Sequence, residues 1–367
     1  MEKMPRWADV VLVPLISITL AFIVAGLVVL AIGENPFDMV YFMVKGALGS
    51  TQGIGFTLYY ATNFIFTGLA FSVAMHARLF NIGGEGQATF GGLGAALVLL
   101  AVPWPHWAIA MPFAIIGAAL MGAAWAAVPA YLQAKRGSHI VITTIMFNFI
   151  GAAFLIYLLN GVLKKPGQQS AETVAFPAGA HLPTFHEMLA PFGVEFSKSA
   201  PANISFFLAL IMAFLVWVLI WRTRLGYQIR AFGQSETATT YAGISAVKVT
   251  IVSMLISGGL AGMLAINVVM GEAERLILNF TEGAGFMGIA VGLMGRNHPV
   301  GIVLAALLFG MLNQGGFELL WEMPGISREM VLVIQALIIV FTGALVNMTR
   351  YPLERMFIAM QKRKGAI

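Results

Sequence analysis

Two pairs of neutral polar residues interrupt otherwise apolar runs: Asn63 with Thr67, and Thr144 with Asn148, each pair four residues apart. On an α-helix that spacing puts both side chains on one face. Carboxamides and hydroxyls so placed hydrogen-bond either a neighbouring helix or a neutral polar solute passing that face. Both readings stand for all four residues, with Tyr59 and Tyr60 one turn before Asn63. A fifth candidate is Glu85, in the segment Leu79-Phe80-Asn81-Ile82-Gly83-Gly84-Glu85-Gly86-Gln87. Asn81 can cap a helix, Glu85 suits the positive end of its dipole, and the glycines admit close backbone approach. The segment reads equally as a helix start and as a place where a solute meets a carboxylate.

A different kind of chemistry is written into residues 222–247. Ser235 is a suitable N-cap, Glu236 suits a first turn, and Gly243 suits a C′ stop. Together they predict a short helix of about two turns. It is too polar to lie in hydrocarbon, and a passive connector has no need of such explicit caps. The pattern favours a docking element.

Catalytic and nucleotide-binding signatures are missing. The chain has no G-x-x-x-x-G-K-[ST] loop, no H-E-x-x-H pair and no G-x-S-x-G elbow. It has no cysteine, so disulfide and thiol chemistry are closed to it. His181, His186 and Glu187 stand at a spacing compatible with a metal, but an ordinary solvated loop is the commoner origin of such a triplet. No catalytic residue, metal site or cofactor is expected in this chain. The net charge of +5 is not gathered on a soluble face, so no nucleic-acid partner is expected.

The elements that must position these residues are membrane helices. Hydrophobic residues make up 59% of the chain and charged residues 10%, too few charges to solvate a soluble surface of this length. Val10 to Ile32 exceeds the apolar core of a cleaved signal peptide and is read as a retained first helix. Further spans are expected near 56–77, 86–103, 107–132, 139–160, 204–221, 248–270, 299–317 and 330–348. Gly283 to Gly295 is a short tenth candidate with Gly288 and Gly292 as a GxxxG face, read as broken or re-entrant. Ala88, Gly92 and Ala96 form a small-residue stripe on the third span. With a cytoplasmic N-terminus and ten crossings, 15 of the 21 basic residues fall inside. The positive-inside rule supports that topology, with both termini cytoplasmic, loop 161–203 external and loop 222–247 cytoplasmic. The expected fold is an all-α polytopic bundle of about ten segments forming a single domain over 1–367.

Four phrases, NIGGEGQ at 81–87, HIVITTIMFNFI at 139–150, RAFGQSETATTYAGI at 230–244 and GFMGIAVGLMGRNHPVGI at 285–302, carry a resemblance. In that order they resemble the permeases of bacterial ABC importers for branched-chain amino acids, ribose-type sugars and nucleosides, and look most like the nucleoside (basic membrane protein) branch. The resemblance implies a type II ABC importer-like fold in a bacterial inner membrane. It also implies ATPase subunits that hold ATP-Mg, a second and non-identical permease, and a periplasmic or lipoprotein substrate-binding protein. The coupling role would fall on Gly233, Glu236, Ala238, Tyr241, Ala242 and Gly243, and the loop departs from the family pattern at Ser235 and Thr239. The substrate path is expected at Asn63, Thr67, Glu85, Thr144 and Asn148. A ribose-type sugar remains an alternative substrate. An ion-coupled secondary transporter is disfavoured because charges inside the apolar runs are scarce. An intramembrane lipid transferase would need an acid or histidine cluster that the chain does not offer.

Overall fold

Helices satisfy their own backbone hydrogen bonds, so apolar runs of this length adopt them in lipid. The computed structural model describes residues 12–164, 167–341 and 346–364, with Pro5 and Ala8. Lys3, Arg6, Pro166, the start of the first apolar run and part of the segment read at 330–348 lie outside the described residues. Among the described residues every element is helical apart from two isolated β-bridges, Glu172 with Ile277 and Thr184 with Asn203.

The chain divides into two compact units, residues 1–53 with 311–367, and residues 54–310. The first unit holds α1 (Val13–Ala31) and α2 (Pro36–Leu48), and α3 (Thr51–His76) leads out of it. Helix α2 was not foreseen from the sequence. Its start is set by Asn35, whose side chain accepts from Phe37 N at 3.0 Å, with Pro36 as first residue.

The larger unit continues from α3 through α4 (Gly84–Ala101), α5 (Trp107–Arg136), α6 (Ile140–Asn160), the short α7 (Phe185–Leu189) and α8 (Ser205–Arg222). Then come α9 (Arg224–Gln234), α10 (Glu236–Tyr241), α11 (Ala246–Gly262), a π-helical turn over Ile266–Met270 and α12 (Ala284–Met294). Helix α13 (Pro299–Glu322) returns the chain to the first unit, which ends with α14 (Arg328–Ile339) and α15 (Val346–Lys364).

Seven of these helices are long and apolar enough to cross a membrane: α1, α3, α5, α6, α8, α11 with its π-turn, and α13. The other three expected crossings correspond to α4, which carries Glu85 and Gln87 in its first turns, the 11-residue α12, and α14, described over 12 residues. The apolar windows of α3 and α11 are 83% and 72% buried, whereas those of α5, α6 and α8 are 22–28% buried. Buried polar side chains ride on α3, on α11 with its π-turn and on the inner face of α6, while α6 and α8 present Ile142, Phe149 and Phe214 outward. Apolar surface of that extent is stable against lipid, not water.

Close packing of α4, α5 and α11 fixes the centre of this unit. Ala110, Ala114, Ala118, Gly122, Ala126 and Ala130 are all buried on α5, one every fourth residue. Small residues at that spacing let backbones touch. A Cβ built on Gly91 of α4 would stand 2.2 Å from the Gly262 Cα on α11. The stripe read at Ala88, Gly92 and Ala96 is buried too, and Gly92 meets Phe280.

Loop 161–203 is ordered over its described residues. Thr173 N donates to Leu276 O at 3.0 Å and Phe176 N to Glu274 O at 2.8 Å, pinning the loop to the segment after the π-turn. Glu172 pairs with Arg275 at 3.1 Å.

Candidate functional site

The π-turn carries a polar residue whose side chain makes four hydrogen bonds. Buried Asn267 donates through Nδ2 to Asn63 Oδ1 at 2.8 Å and to Tyr59 O at 3.0 Å. Its own Oδ1 accepts from Asn203 Nδ2 at 3.0 Å and from Ser205 Oγ at 2.8 Å. One carboxamide thus ties α11 to α3 and to the start of α8. π-Turns displace side chains from the regular helical faces and recur at functional sites. The sequence reading missed Asn267, although it is the lone carboxamide in the run 248–270.

Asn63 and Thr67 lie on the same face of α3, both buried, and Thr67 Oγ1 donates to Asn63 O at 3.0 Å. Thr67 meets α12 at Gly288, where a Cβ would stand 2.5 Å from the threonine Cβ. Phe71 meets Gly292 further along, and Ser72 Oγ donates to Asn297 O just past the end of α12. Helix α12 therefore runs beside the second half of α3. Its N-terminus stands level with the middle of α3, and its 11 residues make it a short helix.

Glu85 meets that N-terminus. Its Oε1 accepts from Thr281 Oγ1 and from Gly283 N at 3.1 Å, and its Oε2 accepts from Gly285 N at 2.9 Å. Gly283 takes φ +79°, a left-handed conformation suited to glycine, and turns the chain into α12. The first turns of α4 and α12 thus face each other, with a carboxylate bridging two positively polarised helix ends.

Thr144 and Asn148 approach from α6. Asn148 accepts from Gly86 N at 2.8 Å and donates to Ile82 O at 2.9 Å, while Thr144 donates to Ile140 O at 2.8 Å. A second buried cluster completes the belt. Asn81 Nδ2 donates to Gln87 Oε1 and to Ser257 Oγ, each at 2.9 Å, and Ser257 Oγ donates to Ala70 O at 2.6 Å. Of the residues expected on the substrate path, Glu85, Thr144 and Asn148 gather at the start of α4, Thr67 packs on α12 at Gly288 and Asn63 bonds Asn267 of the π-turn, each hydrogen-bonded within the protein.

Asn148→Leu would leave the Gly86 N–H and the Ile82 carbonyl unpaired, at about 1–3 kcal/mol for each buried group. The expected result is a lower thermal midpoint in detergent together with reduced transport. Reduced transport at an unchanged midpoint would instead mark a solute contact.

Toward the N-terminal end of α3, Phe56, Tyr59 and Tyr60 form an aromatic group, the two tyrosine rings edge-on at 5.4 Å. Among the described residues no group of three or more histidine and carboxylate side chains is placed to hold a metal. His186 Nδ1 lies 2.7 Å from Phe196 O, and Glu187 completes a capping box with Thr184.

At the other end, Ser235 caps α10 by accepting from Ala238 N at 3.3 Å, and Gly243 takes φ +78° just past its end. Both ends fall where the sequence placed them, but α9 precedes this helix as a separate element. Apart from buried Thr239, every residue of α10 is exposed, and Tyr241 is 93% exposed.

A bundle of lipid-facing helices around a buried polar belt, with a capped surface helix between two spans, defines a multi-pass helical membrane protein. Residues 53–343 match the family described as branched-chain amino acid transport system, permease component, and the chain belongs to that family. It is 34% identical to the nucleoside ABC transporter permease protein NupB of Lactococcus lactis subsp. cremoris, over 90% of each chain. It is 33% identical to the guanosine ABC transporter permease protein NupP of Bacillus subtilis, over 97% of each. The glucose ABC transporter permease protein TsgB13 of Haloferax volcanii is 30% identical over 95% of this chain and 90% of its own. No solved structure matches the chain.

Proposed function

We propose that the chain is the membrane-spanning permease subunit of an ATP-driven importer, forming the translocation path for a nucleoside while a partner subunit hydrolyses ATP. The observation that carries this reading is the α9–α10 element. A short helix with a built cap, a left-handed stop and a bare tyrosine has no packing reason to exist on a passive connector. In this reading Gly233, Glu236, Ala238, Tyr241, Ala242 and Gly243 engage an ABC ATPase. Asn63, Thr67, Glu85, Thr144 and Asn148 line the path or hold its walls.

The nucleoside reading is supported by the two bacterial relatives of that description. The aromatic group at Phe56, Tyr59 and Tyr60 beside the Asn63 carboxamide suits stacking and hydrogen bonding to a base. The archaeal relative named for glucose supports the sugar alternative, since carboxamides and aromatics suit sugars as well. The reading also includes a second, non-identical permease and a substrate-binding protein or lipoprotein. It places the chain in a bacterial inner membrane with ten crossings, one permease domain and both termini cytoplasmic.

The test is uptake by the reconstituted complex. Labelled nucleoside should enter vesicles only with ATP, without sensitivity to an uncoupler, and should be competed by nucleosides and not by ribose or glucose. Uptake driven by an ion gradient without ATP would overturn the reading. Within the same assay, Glu236→Lys and Gly243→Val should assemble in the membrane yet lose ATPase association or substrate-stimulated hydrolysis. A β-branched residue at the left-handed Gly243 position is strained by roughly 1–2 kcal/mol, enough to displace the short helix without unfolding the bundle. Normal transport by both variants would reduce loop 222–247 to a connector.

A further inference from the structure

We propose that His76 is a positioning residue that joins the docking element to the two helices carrying the polar belt, so that α9, α3 and α12 move as one body. The inference rests on the docking role proposed above for α9–α10. Helix α9 is seated directly on the end of α3, since a Cβ on Gly233 would stand 2.1 Å from the His76 carbonyl oxygen. From the same residue, the imidazole Nε2 donates to Asn297 O at 3.0 Å. That carbonyl also accepts from Ser72 Oγ at 2.8 Å. It is presented by a turn in which Arg296 and Asn297 take φ +53° and +54°, the left-handed region, uncommon for arginine and readily adopted by asparagine. The other side of the imidazole is filled by Trp221 at the end of α8, edge-on at 5.2 Å, and Trp221 in turn meets His298 at 5.0 Å.

Four elements therefore converge on one residue: α3 carries it, α9 sits on its carbonyl oxygen, and the end of α8 and the turn after α12 meet its imidazole. Beyond this joint α12 has no freedom to slide along α3, because Gly288 and Gly292 lie against Thr67 and Phe71. The far end of α12 holds Glu85 through two backbone amides. A displacement of α9 is thus delivered to Asn63, Thr67 and Glu85 through packed backbone and hydrogen bonds, without an intervening hinge. Contiguity alone does not establish coupling, so the assignment must show as a change in coupling, not in yield.

The experiment uses the full complex in proteoliposomes and reads ATP hydrolysed per substrate taken up, a ratio independent of how much complex is recovered. His76→Leu keeps bulk but loses the donor, and should raise that ratio about tenfold, within the range typical of coupling between sites. ATPase association and basal hydrolysis should be unchanged. His76→Gln, which can still donate to Asn297 O, should restore most of the coupling. Ser72→Ala, removing the second bond to that carbonyl, should raise the ratio more mildly and serves if His76→Leu fails to assemble. A wild-type ratio in His76→Leu, or in Ser72→Ala where that variant stands in, overturns the proposal, as does His76→Gln behaving like His76→Leu. Glu236→Lys and Gly243→Val are run in parallel. If those two transport normally, the docking reading itself fails. If they uncouple while the His76 variants do not, only the joint is lost.

Discussion

Gly91→Val is expected to yield no folded protein. The Gly91 Cα already lies against the Gly262 backbone, where an added Cβ would find Cα at 2.2 Å and carbonyl oxygen at 2.4 Å. Both are main-chain atoms of a buried helix, so neither can rotate away as a side-chain tip would. The surrounding seam offers no slack: Gly262 sits on the Ala118 carbonyl of α5, and Gly94 sits on the Gly117 carbonyl. Relief requires α4 and α11 to separate, which costs well beyond the about 1–3 kcal/mol of ordinary overpacking. The variant should be degraded in the membrane or elute as aggregate on size exclusion. Gly151→Ala is the control, because an added Cβ there meets its neighbours at 3.4–3.5 Å, ordinary van der Waals contact. A monodisperse Gly91→Val protein with wild-type melting would show that the seam is looser than described.

Replacing Glu85 should be the next most damaging change, graded by what the new side chain can accept. Glu85→Leu strands two backbone amides and the Thr281 hydroxyl in a water-poor interior, at about 1–3 kcal/mol for each unsatisfied donor. It also removes the negative charge from between two helix N-termini. Glu85→Gln keeps one acceptor oxygen but turns an NH₂ group toward amide donors, so an intermediate loss is expected. Glu85→Asp retains the charge on a shorter arm and should be mildest. Melting of the detergent-solubilised variants should follow the order Asp, Gln, Leu, with transport falling in step. Transport lost at full stability in Glu85→Gln would identify the carboxylate as a solute contact instead of a staple.

The membrane helices were legible because lipid imposes a length and composition that few other structures share. The caps of α10 were legible for a local reason, since Ser235 and Gly243 act on their immediate neighbours. The amphipathic α2 carried a local start signal in Asn35 and Pro36, but at 13 residues it is too short for a span and so escaped a reading keyed to length. Tertiary partners were a different matter. Asn63, Thr144 and Asn148 announce themselves as polar residues at helical spacing, but nothing in their spacing says that Asn148 bonds the backbone of residues 82 and 86 or that Asn63 meets Asn267. Sequence separations of 62 and 204 residues link those pairs, and only the fold brings them together. Glu85 shows the same limit. Its place near a helix start was readable, while the helix whose amides it serves begins about 200 residues further along.

The π-turn at Ile266–Met270 also bears on how chain length can vary here. A π-turn accommodates one residue more than an α-turn over the same rise. Removing a residue from this stretch would let α geometry run through and rotate α11, relative to the chain downstream of the turn, by about 100°. Asn267 would then leave the face that meets Asn63, Asn203 and Ser205 together. A single-residue deletion here is therefore a change of address for a side chain that serves three segments. Chains shortened at this point would need a different residue to fasten α8 to α3.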